Sequence, residues 1–163
     1  MDRTRKLALA AMLAAMCAAL ALGGCLTPTG GFALLAAASM VPAAAVLRCG
    51  TGWGALCYAA AAGLVLLLAP GRPRAWLFVL ALGHYGVTKS LIERLRRLPL
   101  EWLCKLLLCN GLLAVLWRLC AASLTLSLPV WALWLLGNGC FVLYDLGFTV
   151  MIGWFQRRFP GKT

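Results

Sequence analysis

The chain has 163 residues, of which 64% are apolar and 12% charged, against roughly 45–50% and about 25% in a soluble domain. A water-soluble fold this small could not hide so much apolar surface, so lipid is the expected solvent. The net charge of +11 is then expected to orient membrane spans and not to bind nucleic acid. Lipid leaves only helices or closed barrels, because every backbone group must be satisfied internally. Continuous Leu- and Ala-rich runs without period-two alternation select an all-α polytopic membrane helix bundle.

About 20 apolar residues cross the ~30 Å hydrocarbon core, and six runs qualify. The first is Leu7 to about Cys25, ended by Thr27-Pro28-Thr29-Gly30-Gly31. Its alanines form two adjacent rows of every fourth residue, Ala10, Ala14, Ala18 and Ala11, Ala15, Ala19. Small residues at that spacing make a flat strip that lets another helix approach closely, either inside this bundle or on a separate subunit. The basic start followed by Leu22-Gly23-Gly24-Cys25 is also similar to a lipoprotein signal with a lipidated cysteine. Cleavage there would leave five helices and spoil the charge pattern.

The second run, Phe32 to Leu47, is expected to bend at Pro42 and to close at Arg48 and Gly50. The third, Trp53 to Ala69, ends at Pro70-Gly71-Arg72-Pro73-Arg74. The fourth runs from Ala75 to about Ser90 and passes into Glu93-Arg94-Leu95-Arg96-Arg97. The fifth is Leu100 to about Cys120, and the sixth Val130 to Phe155. All six are read as one transmembrane domain spanning 1–163.

With the N-terminus inside, the inner segments hold Arg3, Arg5, Lys6, Arg48, Lys89, Arg94, Arg96, Arg97, Arg157, Arg158 and Lys162. The outer connections hold Arg72 and Arg74, with Arg118 near the outer end of the fifth helix. That asymmetry places both termini in the cytoplasm, in the inner membrane.

Polar residues inside a span are costly and mark interior contacts. On the sixth helix Asn138, Asp145, Thr149 and Gln156 share one face. Partners for Asp145 at similar depth are Lys89 and Lys105. With His84 and Glu101 these could make one inner-half network, acting either as a proton relay or as a lock between helices. Glu101 precedes Lys105 by four residues, the favourable order for an intrahelical ion pair. Towards the outer half, Asn110, Trp117, Arg118, Trp131, Trp134 and Asn138 suit either an interfacial aromatic belt or a small polar or aromatic ligand.

The eight cysteines are scattered, without CxxC or a His at metal spacing, and are read as small packing residues. No HExxH, GxSxG or phosphate-loop motif is present, so neither an enzyme nor a cofactor or metal site is expected.

Taken together, the size, the six runs, the basic start before the alanine rows and the segment Tyr144-Asp145-Leu146-Gly147-Phe148-Thr149 leading to Gln156-Arg157-Arg158 resemble the substrate-binding S components of energy-coupling factor (ECF) transporters. The stretch His84-Tyr85-Gly86-Val87-Thr88-Lys89-Ser90-Leu91-Ile92-Glu93 is similar to uncharacterised S-component-like proteins. The resemblance implies capture of a small solute such as a vitamin, and docking through the alanine rows on a transmembrane coupling subunit driven by two ATPases. It also implies a ligand site at the outer side, where Trp117, Arg118, Trp134 and Asn138 cluster. The rival expectation is a small structural membrane protein similar to the rod-shape determinant MreD; an ATPase-independent ion or proton carrier ranks third.

Overall fold

A computed structural model describes residues 2–93, 97–120 and 129–158; the expected orienting residues Arg94, Arg96 and Lys162 lie outside the described residues. Those described form α1 (Arg3–Leu26), α2 (Gly31–Cys49), α3 (Thr51–Leu68), α4 (Pro73–Leu77), a π-helical turn (Phe78–Leu82), α5 (Tyr85–Ile92), α6 (Leu98–Cys120) and α7 (Val130–Arg158). No strand occurs among them. Six helical spans are long and apolar enough to cross a membrane, with α4, the π turn and α5 joined as one 20-residue span from Pro73 to Ile92. The protein is thus an all-α, multi-pass membrane bundle. Its outward side chains agree with lipid as solvent: Met12, Leu67 and Leu143 are 72%, 77% and 72% exposed.

The chain divides into two compact units, Met1–Arg94 and Leu95–Thr163. In the first, α1, α2 and α3 pack on one another and α5 packs on α2. Its core is made largely of small residues, among them Cys17, Ala18, Ala21, Ala38 and Ala61, with Leu35, Val65 and Phe78 filling between them. Helix association in lipid rests on close van der Waals contact, which small residues permit. A methyl on Gly86 would come within 2.8 Å of the Ala43 Cβ, so α5 meets α2 almost backbone to backbone. The link from α2 to α3 is the single residue Gly50, whose φ of 102° lets the chain reverse without a Cβ clash.

Two irregularities interrupt this unit. Pro42 lies inside α2, which continues to Cys49. The fourth span is not the single helix expected from hydropathy. Gly83 N–H donates to the Phe78 carbonyl at 2.7 Å, one residue further than α-helical pairing, and a turn at Gly83–His84 precedes α5. The second unit is the pair α6 and α7. A methyl on Gly137 would come within 2.9 Å of Leu113, so α7 offers a notch that the α6 leucine fills.

Candidate functional site

The two alanine rows of α1 have different fates. Ala10, Ala14 and Ala18 are buried, at 5%, 7% and 4% exposure, and belong to the packing of this chain against itself. Ala11, Ala15 and Ala19, one residue along each turn, are exposed together with Leu7, Met12 and Met16. The expectation that both rows form a docking strip therefore narrows to the second row, because a side chain that already fills the α1 interface with its own bundle has no surface left to offer.

In the second unit Asn110, Trp134 and Asn138 come together. Trp134 Nε1 donates to Asn110 Oδ1 at 2.8 Å. The two amides face each other, with Asn110 Nδ2 donating to Asn138 Oδ1 at 3.2 Å and Asn138 Nδ2 donating to Asn110 Oδ1 at 3.3 Å. Each Nδ2 also donates to a backbone carbonyl one turn back, Leu106 from Asn110 at 2.9 Å and Trp134 from Asn138 at 3.0 Å. The result is a polar clamp between α6 and α7. Trp117 is half-buried and Arg118 exposed, about two turns beyond Asn110 on α6. Among the described residues no hydrogen bond joins either of them to the clamp.

Two turns along α7 from Asn138, Asp145 takes Lys105 of α6 as its partner, with Lys105 Nζ at 2.9 Å from Asp145 Oδ2. Both are buried, at 6% and 3% exposure. Of the two lysines expected, Lys105 is one that pairs with Asp145, while Glu101 lies half-buried one turn earlier on α6. The Lys105 ammonium also lies 5.6 Å from the Trp102 ring centroid, a cation–π distance. The Thr149 hydroxyl donates to the Asp145 backbone carbonyl at 2.8 Å.

His84 and Lys89 belong to the first unit. The Lys89 ammonium, 1% exposed, lies 3.3 Å from Glu93 and 5.9 Å from the Tyr85 ring centroid. His84 sits where the π turn gives way to α5, with its ring centroid 6.0 Å from that of Tyr58 of α3. The Tyr58 hydroxyl donates to the Val79 carbonyl at 2.7 Å. Tyr58 was not singled out in the sequence; a lone Tyr in an Ala-rich run carries no periodic signal. Its partner is legible only once the fourth span is known to break.

Arg72 and Arg74 lie at the start of α4, after the turn from α3, and the structure gives them carbonyls to hold. Arg72 Nη1 donates to Cys25 at 2.9 Å, and Arg74 Nη2 to Pro28 at 3.2 Å. Arg74 Nη1 donates to Thr27 and to Gly24. They close the C-terminal end of α1, where the last carbonyls have no intrahelical donor.

No grouping of three or more His, Cys, Asp or Glu able to hold a metal occurs among the described residues. No family model, curated protein or solved structure matches the chain.

Proposed function

We propose that the protein is the substrate-capture subunit of an ECF-type importer, a non-enzymatic membrane component that takes a small solute from outside and works with a coupling subunit driven by two ATPases. The observation that carries this reading is the split of the α1 alanines into a buried row and an exposed one. Ala11, Ala15 and Ala19 keep a flat, small-residue face open on a helix that is otherwise anchored in its own bundle, which suits close approach by a helix of another subunit. The solute would enter beside Trp134 and Asn138, with Asn110, Trp117 and Arg118 within reach along α6.

Co-purification tests the reading. Expression with an intact membrane proteome, followed by affinity capture, is expected to bring down a polytopic coupling protein and two ATPases in stoichiometric amount. Capture of cell-wall synthesis proteins in their place would reject it.

A second reading, a scaffold of the MreD kind without transport activity, is favoured by one specific feature. The Asn110–Trp134–Asn138 clamp spends its polar groups on itself, and a solute hydrogen-bonding there has to displace bonds already made. Solute binding that Asn138→Ala abolishes would reject the scaffold. Wild-type affinity in Asn138→Ala and Trp134→Ala would remove the clamp from the capture model.

A further inference from the structure

The C-terminal end of α1 and the segment leading into α4 enclose a cleft whose walls include Cys25, Thr27, Pro28, Phe32, Arg72 and Arg74. Two guanidinium groups share it. Of the four carbonyls they hold, those of Gly24 and Cys25 belong to α1 and carry the negative end of its dipole, equivalent to roughly half a charge, against two full positive charges. Carboxylates of this unit cannot make up the difference. Asp2 precedes α1, whose 24 residues span about 36 Å at 1.5 Å per residue. Glu93 follows the 20-residue fourth span, about 30 Å from its start. The first unit therefore carries an uncompensated positive charge at the end of the bundle remote from its N-terminus.

The surroundings narrow what can balance it. Arg72 is exposed and holds one carbonyl through one nitrogen, so most of its five donors remain for another acceptor. Arg74 is more fully engaged, with its Cζ 5.4 Å from the centroid of the Phe32 ring. Leu26 and Phe32 beside the cleft are 60% and 62% exposed, which puts an apolar shoulder next to the charge. All of these residues lie at or beside the ends of candidate membrane spans, where hydrocarbon is expected to give way to headgroups.

We propose that this cleft binds a phosphate group, and that the group is the phosphodiester of an anionic phospholipid whose acyl chains run along Leu26 and Phe32. Planar guanidinium forks match phosphate oxygens bidentately. The cleft is separate from the clamp of the second unit, and the proposal stands or falls without the transport reading.

The test uses the full chain purified in mild detergent and followed by native mass spectrometry, with phosphatidylglycerol, phosphatidylcholine and inorganic phosphate as probes. Phosphatidylglycerol is expected to be retained over phosphatidylcholine, whose choline cation faces the arginine pair. Arg72→Gln is expected to lower that retention by about tenfold. If Arg72→Gln itself lowers the melting temperature, Arg72→Lys serves instead, since it keeps a donor for the Cys25 carbonyl and loses the fork. Inorganic phosphate that binds with the same Arg72 dependence, while phosphatidylglycerol is not retained, keeps the phosphate site and overturns the lipid as its source. Equal retention of the two lipids, or retention unaffected by either variant, overturns the proposal.

Discussion

Pro42 has no amide hydrogen, so the carbonyl it would have served, that of Ala38 four residues earlier, is left without its helical donor. Ala38 is fully buried and lipid offers no substitute. The Cys17 thiol of α1 donates to that carbonyl at 3.2 Å. A residue read from the sequence as mere packing thus repairs a defect on the neighbouring helix. The sequence shows the proline and the orphan it makes, but not which neighbour reaches it. Cys17→Ala is expected to cost about 1 kcal/mol, the lower part of the range for an unsatisfied buried acceptor because a thiol is a weak donor. In a Pro42→Ala background, where residue 42 regains its amide, the same change is expected to cost measurably less. Equal costs in both backgrounds, measured by thermal or denaturant unfolding in detergent, would show that the thiol contributes packing alone.

The buried Lys105–Asp145 pair makes a sharper case at the same scale. Removing one partner leaves an uncompensated charge and is expected to cost about 3–5 kcal/mol, whereas removing both can be nearly neutral. Asp145→Asn is therefore expected to lower the melting temperature, and adding Lys105→Met to restore most of it. A locking pair leaves the double variant stable and functional; a proton relay leaves it stable and inactive. An Asp145→Asn protein as stable and as active as the parent would remove both roles. Sequence depth and polarity name Lys105 as a candidate partner, and the facing of α6 on α7 is what brings it to Asp145.

Among the elements, α1 carries the most discriminating comparison. Ala14 and Ala15 are adjacent and chemically identical, yet one faces the bundle and the other does not. Ala14→Leu forces three extra carbons into a closed contact and is expected to destabilise the isolated protein by about 1–3 kcal/mol. Ala15→Leu adds them to an open face, so folding is expected to be unchanged, and the proposed docking predicts that capture of a coupling subunit is lost. Wild-type capture by Ala15→Leu would leave the exposed row as lipid-facing surface and nothing more.

The spans themselves were legible from hydropathy to within a few residues, because run length and Gly/Pro punctuation act directly on a helix in lipid. The break in the fourth span was not. Averaged hydropathy is blind to a π turn and to the close approach of Gly83 to Phe78 and to Tyr58 of α3, where a methyl would meet both at 3.0 Å. The split of the alanine rows was equally hidden, since an Ala-rich helix has little amphipathicity to tell its buried side from its lipid side.

For the whole molecule, the distribution of cations sets the expected orientation. Eleven Lys and Arg residues fall on the side of the N-terminus when the six spans are threaded in order, against Arg72, Arg74 and the nearby Arg118 on the other. Under the positive-inside rule both termini are expected in the cytoplasm. Arg72 and Arg74 run against the rule, and the structure gives the reason for their presence: they close the end of α1, a task tied to that end of the bundle whichever way it faces. A reporter active only outside the cytoplasm is accordingly expected to work when inserted at Gly71, where φ is positive and the chain already turns. A reporter active only inside is expected to work after Thr163. The reverse pattern would place the clamp's Trp134 end in the inner leaflet, and capture from outside through that cluster would be ruled out. An active external reporter at both positions would mean that one of the six helices does not cross; the fourth span, which holds Lys89 and breaks at Gly83, would be the first to test.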